Sequence, residues 1–191
     1  VNNSNINNIE NLIDKLEEYQ INLFSITDHN RFDYNLYQKL KERIKESSIV
    51  KHILPGIEFD VQFESELEKC HVITIFDDSD EDKLSKIWLR ITENRVLTNK
   101  EDFYTLKEFE KILREINLKT CLIVHQKQGF EGSRGKTQSL SESTSDPSYF
   151  MKIGYIDSLE YNYPRTEGIV KKTLRDLDVD FPLITCSDCH Q

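Results

Sequence analysis

The sequence predicts a single α/β domain on a largely parallel sheet, either open or closed into a barrel. Three observations lead there. Short apolar segments alternate with amphipathic segments of helical period, the pattern of βαβ units. A length of 191 residues and a mass of 22.6 kDa suit one domain, able to bury a core without disulfides or a structural metal. Ten Phe, eight Tyr and one Trp argue for a packed interior, since disordered chains carry few aromatics.

The elements follow in order. Ile9–Tyr19 places Ile9, Leu12, Ile13 and Leu16 on one helical face, and Ile21–Thr27 is a short apolar strand running into Asp28, His29 and Asn30. Phe32–Ser47 is an amphipathic helix rich in Lys and Glu; Ile53–Phe63 and His71–Phe76 are strands. Asp80–Asn94 and Leu106–Asn117 are helices with charged outer faces, whose Lys and Glu are ordinary solvated surface. Lys119–His125 is a strand, and the Gly/Ser/Thr-rich stretch Gly129–Ser145 is an irregular loop of the kind that carries function. Tyr155–Tyr161, Gly168–Leu177 and Phe181–Cys186 complete the pattern as strand, helix and strand. No repeat or linker divides the chain.

Charge narrows the function classes. Twenty-five basic residues against 34 acidic ones give a net −9 and a pI near 5.1. Such a surface does not draw nucleic acid by its overall field, so a polyanion must be held by a local basic cluster or by bound cations. No apolar run approaches the ~18 residues of a membrane span. Four cysteines (Cys70, Cys121, Cys186 and Cys189) without an export signal read as reduced thiols in a cytoplasm.

Chemistry-bearing residues collect at strand edges. His29 follows the first strand, Glu58 lies beyond Pro55-Gly56-Ile57, and His125 ends CLIVH. Asp188 and His190, at i and i+2 after FPLITC, point to the same side of an extended chain. In α/β barrels the C-terminal strand ends converge on one rim, where active sites form. Imidazoles and carboxylates meeting there are the ligand types of Zn²⁺, Mn²⁺ or Fe²⁺. His71 begins its strand instead, and joins the rim only if Glu58–Phe63 and His71–Phe76 form a hairpin. His52 precedes Glu58 by six residues, about 20 Å in extended chain, and belongs to the other end of the sheet. Glu160 and Arg165 flank the turn after YIDSLEY at another strand end, where Arg165 is a candidate for bidentate phosphate binding.

These residues resemble motifs of the polymerase and histidinol phosphatase (PHP) family: Thr27-Asp28-His29-Asn30, Gly56-Ile57-Glu58, His71, His125 and Ser187-Asp188-Cys189-His190. Their order and spacing cover nearly the whole chain. The resemblance implies a distorted seven-stranded β/α barrel and a metal-dependent phosphoesterase using up to three divalent ions. It implies His29, Glu58, His71, His125, Asp188 and His190 as metal ligands, with Asp28 orienting an imidazole from outside the ligand set. One departure is large: the family opens with a His-x-His element, which this chain lacks, while Val1–Asn5 resembles the segment just after it. The expectation is a single PHP-like domain over 1–191, trimmed at both ends, lacking its first strand and carrying two or three ions if the pair lies upstream.

Two rival motifs fail. Cys186-Ser-Asp-Cys189-His190 matches C-x-x-C-H haem attachment, but export and a further axial ligand are not evident. Gly129–Thr137 resembles a phosphate loop, yet Phe130 stands where the first Gly must be and no apolar helix follows. Arg134, just after His125, is still placed to close over a substrate phosphate. The leading expectation is phosphate-ester hydrolysis, leaning to nucleic-acid phosphodiesters within a larger protein, with no membrane partner. The alternatives are an inactive PHP-like scaffold and a small-molecule phosphomonoesterase of histidinol-phosphatase type.

Overall fold

The computed structural model describes residues 8–127, 137–162 and 164–185. Its longest strand is β2 (His52–Gln62), and most of the sheet is arranged around it. β1 (Leu23–Ile26) lies parallel to the first part of β2, with Leu23 beside His52 and Ile26 beside Pro55. The same register carries on past β1: His29 bridges Glu58, the Asn30 amide donates to the Glu58 carbonyl at 2.8 Å, and the Glu58 amide donates to the Asp28 carbonyl at 3.2 Å. On the other edge, β3 (Cys70–Phe76) runs antiparallel, with Asp60 opposite His71. β4 (Tyr104–Thr105), β5 (Thr120–His125), β6 (Ser158–Glu160) and β7 (Leu183–Ile184) complete a curled, half-barrel mixed sheet. The order is β1-β2-β3-β5-β6-β7, with β4 pairing with the end of β2.

The sheet refines one expectation: four of its six strand pairs among the described residues are parallel, but β3 makes it mixed. β3 is antiparallel to both β2 and β5. Only Phe63–Lys69 separates β2 from β3, too short for the crossover that a parallel pair needs. The conditional hairpin is therefore present, and it brings His71 back toward Glu58.

Helices α1 (Ile9–Glu18), α2 (Tyr34–Arg43), α3 (Glu81–Asn94), α4 (Leu106–Ile116), α5 (Leu140–Ser143), α6 (Pro147–Lys152) and α7 (Pro164–Asp176) account for the amphipathic segments. Side-chain caps set several starts. Asp33 accepts from the Leu36 amide and Asp80 from the Lys83 amide, while Thr105 and Glu108 form a capping box. α4 stops at Asn117, which takes the left-handed conformation that ends many helices. α5 and α6 fall where a loop or no element was expected. Their signals are a Ser139/Glu142 capping box and an Asp146 cap followed by Pro147. Ser143 ties α5 to the hairpin: its hydroxyl accepts from the Phe63 amide at 2.9 Å, and its carbonyl accepts from the Glu64 amide.

Alternation along β2 divides two environments. Ile57, Phe59 and Val61 are fully buried in the core, where Phe59 meets Phe109 of α4 and Tyr104 edge-on at 5.2 and 5.9 Å between ring centroids. Leu84, Ile87 and Ile91 of α3, with Ile112 of α4, extend that core. Each such side chain contributes roughly 1.5–3 kcal/mol on burial. Glu58 and Asp60 fall on the opposite face.

Gly56 lets β1 and β2 approach. A Cβ there would lie 2.4 Å from Ser25 Oγ, 2.8 Å from Thr27 Cγ2 and 3.1 Å from Ile75 Cδ1. Gly56→Ala is expected to destabilise the fold by about 1–3 kcal/mol, because neighbours on both flanking strands must move. Urea unfolding measures this, and an unchanged midpoint would refute the close-approach account.

Candidate metal centre

Lateral register gathers the polar face. Residues directly opposite one another on neighbouring strands project to the same side of a sheet. Glu58 has His29 beside it on one edge; Asp60 has His71 opposite on the other. The β3–β5 ladder pairs Val72 with Val124, so the next step brings His71 to His125, which is itself paired with Glu160 of β6. Three imidazoles line up along this row. The His71 ring centroid is 5.0 Å from His29 and 4.9 Å from His125, both edge-on.

The carboxylates interleave with them. Glu58 Oε1 is 2.6 Å from His71 Nδ1 and 3.4 Å from His125 Nε2, and Glu58 Oε2 is 3.5 Å from His29 Nε2. His125 Nε2 also contacts Glu160 Oε2. His71 Nε2 is 3.1 Å from Asp60 Oδ1. Burial deepens across the row, from the exposed His29 to His125 at 3% and Glu160 at 1% exposure. Buried charges need partners, because desolvation costs several kcal/mol per ion.

Protonation follows from this crowding. Burial pushes the Glu58 carboxyl up, but His71, with His125 and His29, outweighs it and holds the group below its ordinary value. Burial likewise opposes ionisation of Asp60, and is overcome by His71, Asn30 and Lys69. Burial alone would lower His71; the Asp60 and Glu58 carboxylates instead raise it to about 9.

The donor set matches a divalent cation. Glu58, His71 and His125 offer one ligand atom each, all within 4.8 Å of one another, and His29, Asp60 and His71 form a second such group. Two imidazoles with a carboxylate is a common set for Zn²⁺ and related ions. His125 Nδ1 is buried without a hydrogen-bond partner among the described residues, an unsatisfied group of the sort functional sites retain.

Placement of the remaining sequence-selected residues varies. Asp28 lines a small cavity of about 20 Å³ beneath α2, with Ile26, Phe32 and Leu36. Arg165 is exposed in the first turn of α7. His52 opens β2 at its far end, in a groove with Lys41, Lys45 and Lys51. Arg134, Asp188 and His190, together with Val1–Asn5, Cys186 and Cys189, lie outside the described residues. Asp60 escaped the sequence reading, although its i+2 spacing from Glu58 on a strand was the available signal.

Comparison with solved structures shows the fold. The chain is similar to a protein from Bifidobacterium adolescentis, described as a candidate metal-dependent phosphoesterase. The TM-score is 0.59 at 12% identity, covering 96% of this chain and 82% of that one. No family model and no curated protein matches the sequence. Among the described residues no helix is long and apolar enough to cross a membrane.

The cluster predicts a pH dependence for the metal-free protein. His71, raised from 6.5 to about 9, contributes stability that is complete below pH 6.5 and is lost as pH rises through about 9. Glu58 and Asp60, held below their ordinary values, contribute stability that fades as pH falls through those lowered values. Thermal melts in EDTA should therefore show Tm falling from pH 6.5 to 9, with a shallower fall in His71→Gln. Parallel profiles for the two proteins would contradict this assignment.

Proposed function

We propose that the chain is a metal-dependent phosphoesterase of the PHP type, with its centre on the row His29, Glu58, His71 and His125. The observation that carries the reading is the convergence of Glu58 on three imidazoles, two of them buried, at 2.6–3.5 Å. The likeness in fold to a candidate metal-dependent phosphoesterase supports it. In this reading Asp188 and His190 complete the ligand set. Arg165 and Arg134 meet the phosphate, and Asp28 steadies an imidazole.

Divalent cations bound there would neutralise phosphoryl oxygens and acidify an attacking water. The chain's own part is to hold neutral imidazoles and ionised carboxylates in fixed register. Glu58, already ionised by its histidine neighbours, needs no proton removed before it binds a cation. His71 does, so binding at neutral pH releases a proton. With a net charge of −9, the protein relies on cations to attract an anionic ester. Nucleic-acid phosphodiesters are the favoured substrate class and phosphomonoesters the alternative.

The test uses p-nitrophenyl phosphate, its diester and single-stranded DNA, with Zn²⁺, Mn²⁺ or Fe²⁺ added to stripped protein. His125→Ala is expected to lower metal-dependent hydrolysis by at least ~100-fold, in line with losses on removing groups that act as a unit. His52→Ala should leave it within a few-fold. Equal losses in the two variants would place the chemistry elsewhere. Metal binding without hydrolysis of any of the three esters would make the scaffold reading the better one.

A further inference from the structure

Asp60 differs from the other acids of the row in what surrounds it. Its Oδ2 accepts from Asn30 Nδ2 at 2.7 Å, and its amide donates to Asn30 Oδ1 at 2.9 Å. Lys69 Nζ lies 3.3 Å from Oδ1, on a side chain only 11% exposed. That ammonium also donates to the carbonyls of Lys100 and Asp102, so it is anchored to the segment between α3 and β4. Oδ1 further faces His71 Nε2 at 3.1 Å, while the opposite ring nitrogen, Nδ1, faces Glu58 at 2.6 Å.

We propose that Asp60 is a positioning residue for His71 and not a metal ligand, held in turn by Asn30 and Lys69, so that Nδ1 of His71 is presented to the Glu58–His125 side of the row. The proposal rests on the metal-centre reading above. The alternative, an ion held by His29, Asp60 and His71, meets the distance requirement but not the charge requirement. Asp60 Oδ2 already accepts from Asn30, and Oδ1, which makes no hydrogen bond among the described residues, lies at ion-pair distance from His71 and from a largely buried ammonium. A divalent cation on Asp60 would sit beside that ammonium where water screens it poorly. On the Glu58–His125 side the neighbours are imidazoles and the Glu160 carboxylate, which favour a cation. An imidazole ligand commonly gives its second nitrogen to a carboxylate, which fixes the ring and raises its basicity; losing that partner typically weakens metal binding ~10–100-fold.

Lys69 belongs to the same device by strand geometry. It lies two residues before His71, just outside β3, and so projects to the same face. The ammonium compensates the carboxylate that His71 requires, without contributing a donor to a cation.

Calorimetric titration of the metal-stripped chain with Co²⁺ tests this. Asp60→Asn, nearly isosteric, should bind the same number of ions as the unsubstituted protein, with affinity weakened ~10–100-fold. Lys69→Met should leave the number of ions unchanged while shifting the His71 ring N–H resonance, and it carries the test if Asp60→Asn does not fold by circular dichroism. In the Co²⁺-loaded protein, a paramagnetically shifted, solvent-exchangeable imidazole N–H that vanishes in His71→Gln should move or broaden in Asp60→Asn. One ion fewer in Asp60→Asn would make Asp60 a ligand and overturn the proposal, and undiminished affinity would overturn it too. If the unsubstituted protein bound no Co²⁺ at all, the metal-centre reading would fall and the proposal with it. Tight binding to that protein and equally to Asp60→Asn would remove the positioning role alone.

Discussion

The register of β2 is the constraint on which the rest depends. Glu58 must stand beside His29 on one edge while Asp60 stands opposite His71 on the other. Side chains alternate with a period of two, so a slip of one residue would turn Glu58 and Asp60 into the core and Phe59 out to the row. Gly56 locks this arrangement from the β1 side, because only a residue without Cβ fits between Ser25 and Ile75. Phe59, wedged against Phe109 and Tyr104, locks it from the core side. Packing on one face thus sets the geometry of charge on the other.

That coupling answers an energetic difficulty. A row holding Glu58, Asp60 and Glu160 at 12% side-chain exposure or less would repel itself and lose hydration if its members were independent. Alternation of carboxylate and imidazole along the ladder places each acid between positive or hydrogen-bonding neighbours. Glu58 alone faces three imidazoles. The arrangement holds Glu58 and Asp60 ionised and raises the proton affinity of His71, whose two ring nitrogens each face one of them. On the proposed reading, proton and metal would compete for the same ring, and the pH that stabilises the metal-free row would oppose metal binding.

Much of this was legible in the chain, and the part that was not has a physical reason. His29 and His125 could be placed because each lies at or just past a strand end, marked by the change from apolar to polar residues. Glu58, expected near a strand end, instead sits inside β2 and reaches the row through its pairing with His29 on one side and the hairpin on the other. His71 needed the hairpin, which follows from the few residues between β2 and β3. Asp60 was harder to see: its i+2 spacing from Glu58 marks the same face, but only pairing with β3 shows that this face is closed over by its neighbours. The mixed sheet was missed for a related reason, since alternating strands and helices do not report the direction in which a short loop returns. Helix α5 hid within a Ser/Thr-rich stretch whose composition reads as loop, although its capping box was written there. Asp188, His190 and Arg134 lie outside the described residues; their place in the site rests on sequence alone, the i, i+2 spacing and the resemblance for Asp188 and His190, and nearness to His125 for Arg134.

Burial along the row sets a direction of approach. Among the described residues, the side chain of His29 is 46% exposed, whereas those of His71, Glu58 and His125 are at 11%, 12% and 4%. On the proposed reading, a cation or phosphate arriving from water would meet His29 before the Glu58–His125 pair. At the inner end, where charges are screened less by water, a cation would be held more strongly. On that reading, the gradient would separate the task of holding a cation, at the inner pair, from that of meeting an ester, at the exposed imidazole. Lys69 completes the division. By compensating Asp60 on the flank, it leaves the negative potential of the row centred on Glu58, at the point where exposed and buried histidines meet.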